Sequence, residues 1–229
     1  MGVLLLACAR RESETAPVST DTIGVAPAAS APTTAAAFEE EIARFEAADR
    51  AQPPDSGGIV FVGSSSFRLW PNLAGDFPGR TVLNRGFGGS TLPDVIHFAP
   101  RVVLPYRPRL VVLYAGDNDL AAGRSAEQVA DDFRTFVRVV RQARPATRIA
   151  YVSIKPSPSR WALAEQARRA NALIASEIAR DSLAAFVDVF TPMLGTNGRP
   201  RPELFVADSL HMTPAGYVLW RERLSSTVR

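Results

Sequence analysis

The chain alternates between two kinds of segment, and that alternation leaves few folds open to it. Strand-like runs at 59–62, 81–83, 110–114, 148–154 and 184–187 are separated by helical stretches at about 66–73, 92–104, 126–143 and 160–180. A first helix is expected over about 38–50, with Ile42 and Phe45 on one face, before Pro53-Pro54 and Gly57-Gly58 break the chain. A last helix is expected from Pro214 toward Leu224, with Thr213 placed to cap it. Strands that take turns with helices form a parallel sheet with helices on both faces and right-handed crossovers. The expected fold is therefore α/β: three layers, α/β/α, around a five-stranded parallel sheet of flavodoxin-like order 2-1-3-4-5. Its site should lie at the carboxyl ends of the strands. No internal repeat is visible.

The 229 residues suffice for one such domain plus a tail, and usage is globular at 46% apolar and 21% charged. The net charge of +3 comes almost entirely from arginines scattered among acidic residues, and Lys155 is the only lysine. Without a clustered basic face, nucleic acid is not an expected partner.

The N-terminal segment reads differently. Residues 1–8 end in Leu5-Leu6-Ala7-Cys8, which resembles the bacterial lipobox, whose cysteine is lipidated. Cys8 is also the only cysteine, so no intramolecular disulfide is possible. The run is too short to cross a membrane and carries no basic n-region. The expectation is a membrane-tethered lipoprotein facing the periplasm. The alternative is a frayed apolar N-terminus on a cytoplasmic protein. Residues 9–36, rich in Ala, Pro, Ser and Thr, read as a disordered tether, which leaves 37–229 as the folded domain.

Three separated segments carry candidate chemistry. Gly63-Ser64-Ser65-Ser66 follows the first strand, where a glycine permits a sharp turn and a serine opens a helix. Such a serine sits among free backbone N–H groups at a positive dipole end, although it is equally suited to plain capping. Gly116-Asp117-Asn118-Asp119 follows the third strand, and Asp208-Ser209-Leu210-His211 lies near the C-terminus. Only two histidines are present. His97, between Ile96 and Phe98 in a helical stretch, reads as packing or surface. His211 has a carboxylate three residues before it, a spacing that lets Asp208 meet the imidazole and fix its tautomer.

Between these segments, Asn84-Arg85-Gly86-Phe87-Gly88-Gly89-Ser90 allows close backbone approach. A dinucleotide or flavin reading fails there on spacing, since a third glycine would be needed where Thr91 stands. A metal at Asp117 and Asp119 finds no partner cluster to complete a shell of oxygen ligands. No cofactor and no metal are expected.

These blocks together resemble the SGNH/GDSL hydrolases, and within them the esterases of the platelet-activating-factor acetylhydrolase type. The resemblance covers roughly residues 57–224. It implies that Ser65 is the nucleophile and that Asp208 and His211 complete a triad. It also implies that the Ser65 N–H, the Gly89 N–H and the Asn118 side chain form the oxyanion hole. Ser64 stands where the family has Asp, so three serines run together. The strand, the glycine and Phe67-Arg68-Leu69-Trp70 keep the family spacing and favour Ser65, with Ser64 and Ser66 as alternatives. The implied activity is hydrolysis of short-acyl carboxylic esters through an acyl-enzyme, with a small-molecule, glycan or lipid ester as the implied partner. The rival is a non-catalytic envelope lipoprotein that uses the same fold as a binding module. The loop from Lys155 to Trp161 is placed to line the pocket. Arg68 and Trp70 are further candidates there, Trp70 more naturally as core.

Overall fold

The computed structural model describes residues 1–2 and 34–229. Cys8 and most of the segment read as a tether lie outside the described residues. Helix α1 spans Thr34–Ala51, so its first turn begins inside the segment assigned to the tether.

Five strands, β1 (Ile59–Gly63), β2 (Val82–Gly86), β3 (Leu110–Tyr114), β4 (Arg148–Val152) and β5 (Ala184–Val187), form one all-parallel sheet in the order β2-β1-β3-β4-β5. The remaining helices are α2 (Ser65–Arg68), α3 (Leu92–Val102), α4 (Asp117–Ala121), α5 (Ala126–Ala143), α6 (Ala164–Ile178) and α7 (Pro214–Leu224).

Alternation along each strand sorts the core into two halves. Val60 and Val62 of β1 join Val111, Leu113, Ile149 and Tyr151 on the face covered by α1, α3, α5 and α6. Ile59 and Phe61 join Leu110, Val112, Ala150 and Val152 on the other, beneath Phe67, Trp70, Tyr217 and Trp220. Because both faces are covered, the strands read as nearly continuous apolar runs. Trp70 is 3% exposed and packs on Phe61, Tyr217 and Trp220, while its indole N–H donates to Asp76 at 2.6 Å. It is a core residue.

Several boundaries differ from the sequence reading, each for a visible reason. β2 runs on through Asn84-Arg85-Gly86, although polar residues predicted its end at 83. The Asn84 amide donates to the Phe67 carbonyl at 2.7 Å and accepts from the Gly86 N–H at 2.9 Å. Arg85 is buried between the rings of Phe45 and Tyr106 and paired with Asp49. Tertiary partners thus satisfy what looked like loop polarity. β4 stops at Val152, short of 154, because the Asn171 side chain takes over both backbone groups of Ile154, at 2.8 and 3.0 Å. α2 is one turn rather than two, ending before Trp70-Pro71, where a residue preceding proline avoids helical geometry. The stretch from 160 is a 3₁₀ turn, Pro158–Leu163, before α6 begins, and Arg160 in it has a non-helical φ of −114°.

Candidate active site

The site forms because three strands end at one level. Gly63 is in register with Gly86 on one side and with Tyr114 on the other. The segments that follow β1, β2 and β3 therefore emerge together at the carboxyl edge. α2 after β1 lies over one face, while α5 lies over the other, so a crevice opens between their loops. Gly63 makes the first turn possible. Its φ is +138°, and a Cβ there would lie 1.8 Å from the Tyr114 carbonyl oxygen, so no side chain fits.

The three consecutive serines then part company. Ser64 is fully buried, and its hydroxyl has no hydrogen-bond partner among the described residues. Ser66 is buried at 1% exposure, and its hydroxyl accepts from the Lys155 ammonium at 3.2 Å. Ser65 is half-buried at the first position of α2, with its Oγ 3.0 Å from Nε2 of His211. The His211 Nδ1 lies 2.5 Å from Oδ2 of Asp208. The other oxygen, Oδ1, accepts the backbone N–H groups of Leu210 (2.8 Å) and His211 (2.9 Å). Ser209 supplies the bend with a left-handed φ of +59°, a conformation often held at functional sites. Those two N–H bonds and the imidazole hold the Asp208 carboxyl down to about 2, so it is ionised whenever the imidazole is at work.

The oxyanion candidates stand on the neighbouring segments that follow β1, β2 and β3. The N–H of Ser65, at a helix start, has no intrahelical acceptor. Gly89 holds a φ of +81° in the loop after β2, and a Cβ there would meet nothing within 4 Å. The Asn118 amide donates from Nδ2 to the Ser90 carbonyl at 3.0 Å, which joins the loop after β3 to the loop after β2. Asp119 reinforces the join, since both its oxygens accept the Leu92 N–H, at 3.0 and 3.2 Å.

Sequence reasoning missed a buried ionic cluster beneath these groups. Lys155 is 1% exposed in its side chain and donates to Ser66 Oγ, to Tyr114 Oη (3.1 Å) and to Asp117 Oδ2 (3.1 Å). Arg160 donates from Nη2 to Asn118 Oδ1 at 2.9 Å and reaches Asp117 Oδ2 from Nη1 at 3.3 Å. Burial works to raise the Asp117 carboxyl, but the charges of Lys155 and Arg160 outweigh it and hold the group below its usual range. The available signal was the single lysine of an arginine-rich chain, set between an apolar strand and the run Pro156-Ser157-Pro158-Ser159. Neither acidic residue of this block is left over for a cation: Asp117 pairs with two cations and Asp119 caps α3.

Other candidates fall outside this cluster. His97 is exposed on α3, edge-on to Phe98. Arg68 lies against Gly88 and 3.8 Å from Glu41 of α1.

A five-stranded parallel sheet whose strand-end loops bring a serine, a histidine and an aspartate into one hydrogen-bonded line is the geometry of a hydrolase of three-layer α/β architecture. The chain belongs to the GDSL-like lipase/acylhydrolase family, whose model matches residues 58–219. It is 28% identical over 183 residues to platelet-activating factor acetylhydrolase IB subunit alpha1 of Bos taurus, covering 76% of this chain and 75% of that one. In fold it is similar to a GDSL-like lipase from Bacteroides thetaiotaomicron, with a TM-score of 0.69 and 20% identity, covering 82% of this chain and 96% of that chain. It is also similar to a catalytic mutant of an acetylxylan esterase from Geobacillus stearothermophilus, with a TM-score of 0.62 and 16% identity over 76% and 95% of the two chains. The protein is an ester-bond hydrolase.

Proposed function

We propose that this hydrolase is a serine esterase acting on short-acyl esters, acetyl esters of a carbohydrate or lipid above all, with Ser65 as nucleophile. One observation carries the reading: the unbroken line from Asp208 through His211 to Ser65, at 2.5 and 3.0 Å. Asp208 accepts the Nδ1 proton of His211, which leaves Nε2 free to accept from Ser65. As Ser65 Oγ attacks the ester carbonyl, its proton passes to Nε2. The charge developing on the carbonyl oxygen is met by the Ser65 N–H, the Gly89 N–H and Nδ2 of Asn118. Collapse expels the alcohol, which takes the proton from His211. Water then attacks the acyl-enzyme, gives its proton to His211, and the Ser65 oxygen recovers that proton as the acid leaves.

The preference for a short acyl group rests on the similarity to an acetylhydrolase subunit. The esterase named for acetylxylan among the similar structures agrees with this choice. Placement at the cell envelope through a lipidated Cys8 belongs to the same proposal and rests on Leu5-Leu6-Ala7-Cys8. Incorporation of radiolabelled palmitate that Cys8→Ala abolishes would test it.

The esterase is tested by p-nitrophenyl acetate hydrolysis of the full chain beside Ser65→Ala. The variant is expected to lose about 10³-fold or more in kcat. Undiminished turnover in Ser65→Ala would move the nucleophile to Ser64 or Ser66. A folded wild type that neither turns over ester nor reacts with a fluorophosphonate would support a binding module instead.

A further inference from the structure

We propose that Arg160 is a positioning residue that sets the orientation of the Asn118 amide, and so decides whether the oxyanion hole has its side-chain donor. The inference rests on the serine-esterase reading above and deepens it.

An asparagine amide presents an oxygen on one side and an NH₂ on the other, and the two ends are alike in size. Only the NH₂ end can donate to an oxyanion. Two neighbours remove the ambiguity here. The Arg160 guanidinium, which has donors and no acceptor, faces Oδ1 at 2.9 Å. The Ser90 carbonyl, which has no donor, faces Nδ2 at 3.0 Å. A flipped amide would set NH₂ against guanidinium and oxygen against oxygen, losing both bonds at once. The correct rotamer leaves the second Nδ2 hydrogen free for the reacting carbonyl. The bond to Oδ1 also draws electron density from the amide nitrogen and makes its N–H the better donor.

Arg160 is itself held for this task. Its second nitrogen, Nη1, lies 3.3 Å from Asp117, whose other oxygen accepts the Asn118 backbone N–H at 3.0 Å. The carboxylate thus holds the arginine by charge, without a hydrogen bond, beside the backbone of the residue it orients. The 3₁₀ turn that carries Arg160 is tied to the catalytic base as well, because the Ser159 N–H donates to the Ser209 carbonyl at 3.1 Å, inside the Asp208–His211 bend. One short turn therefore touches the oxyanion donor through a side chain and the bend that carries the general base through the backbone. This also accounts for the non-helical φ of Arg160, which interrupts the helix that the sequence pattern favours there.

The test is a double-mutant cycle of Arg160→Met and Asn118→Ala, read as kcat and KM on p-nitrophenyl acetate, with Arg160→Lys beside them. Methionine keeps the length and packing of the stem and removes every donor. Arg160→Met is expected to lower kcat about 10- to 30-fold, less than the 10²–10³ typical of losing an oxyanion donor, because Ser90 still biases the amide. KM should stay within about twofold, and Arg160→Lys should recover part of the loss. In the Asn118→Ala background the same substitution should cost under about twofold, since there is no amide left to orient. A raised KM with kcat intact would overturn the proposal and make Arg160 a substrate contact. An equal loss in both backgrounds would overturn it in favour of a structural role, which thermal melting of Arg160→Met would show directly. Near-normal turnover of Asn118→Ala alone would instead remove Asn118 from the oxyanion hole, and the orienting role of Arg160 with it, while a dead Ser65→Ala would leave the esterase standing.

Discussion

Asp119 receives the backbone N–H of Leu92 on both carboxylate oxygens, at 3.0 and 3.2 Å, from a position wholly shut off from solvent. The residue before it, Asn118, bonds the Ser90 carbonyl. Two adjacent side chains after β3 thus fasten the loop and helix start that follow β2, and the two halves of the candidate oxyanion hole become one piece. The arrangement has a cost. Among the described residues the only cation near the carboxylate is Arg124, at 3.8 Å, and the like charge of Asp117 works against ionisation.

Stability should therefore fall as pH rises. Burial pushes the Asp119 carboxyl up to about 7, against the support of the Leu92 N–H. Its folded value lies above the unfolded one of about 3.9, so between the two the native state holds a proton that the unfolded state has released. The stabilisation is complete below about pH 4, declines up to about 7 and is level beyond. Asp119→Asn keeps an acceptor for Leu92 and removes the titration. Relative to that variant, the wild type should lose on the order of 3 kcal/mol between pH 4 and 8 by urea unfolding. Parallel curves for the two proteins would show that Asp119 stays ionised throughout.

Asp208 makes the opposite case, a carboxylate that is ionised and half-exposed, with 47% of its side chain open to water. Its attraction for the imidazolium is screened, so Asp208→Ala should cost only about 10- to 100-fold in kcat. Asp208→Asn should be worse than alanine. The Leu210 and His211 N–H groups would hold the asparagine oxygen, turn its NH₂ toward His211 Nδ1 and force the proton onto Nε2, where it blocks acceptance from Ser65. Measured kcat values in the order wild type, alanine, asparagine would support this. An asparagine variant more active than the alanine one would refute it.

Lys155 should be worth more to stability than any exposed pair in the molecule. Removing one member of a buried ion pair commonly costs about 3–5 kcal/mol, and Arg160 remains to soften the loss, so Lys155→Met should cost about 3 kcal/mol at pH 8. In the wild type the Asp117 value is depressed, so its contribution is present above the unfolded value and lost only in strong acid. Without the ammonium, burial dominates and the carboxyl takes up a proton more readily. The gap between variant and wild type should shrink as pH falls from 8 to 5, followed by thermal melting at each pH. A gap independent of pH would mean that Arg160 alone keeps Asp117 ionised.

Much of the fold could be read from local pattern. Five strand-like runs, four of them richly apolar, and the helices between them gave the parallel sheet and its order, because burial on both faces leaves a strand little room for polar residues. The blocks at Gly63, Gly89, Asn118 and Asp208–His211 stood out because turns at strand ends need glycine and small polar residues at particular positions. Asn84 and Arg85 were hidden as strand residues, since the partners that bury them, Phe67, Asp49 and Tyr106, lie 17 to 36 positions away in the chain on other elements. α4 was hidden by its length, one turn begun by acidic residues.

By itself, then, the sequence determined which segments become strands, which helices cover them and which blocks of side chains end up at the carboxyl edge, because those outcomes follow from periodicity and from the conformations open to a few glycines. Tertiary structure alone decided which of three adjacent serines faces the imidazole, that the single lysine is buried against Ser66, and that Arg160 turns out of a helix to meet Asn118. Each of those depends on charges and hydrogen-bond partners brought together from across 38 to 146 positions of chain, where no local rule reaches.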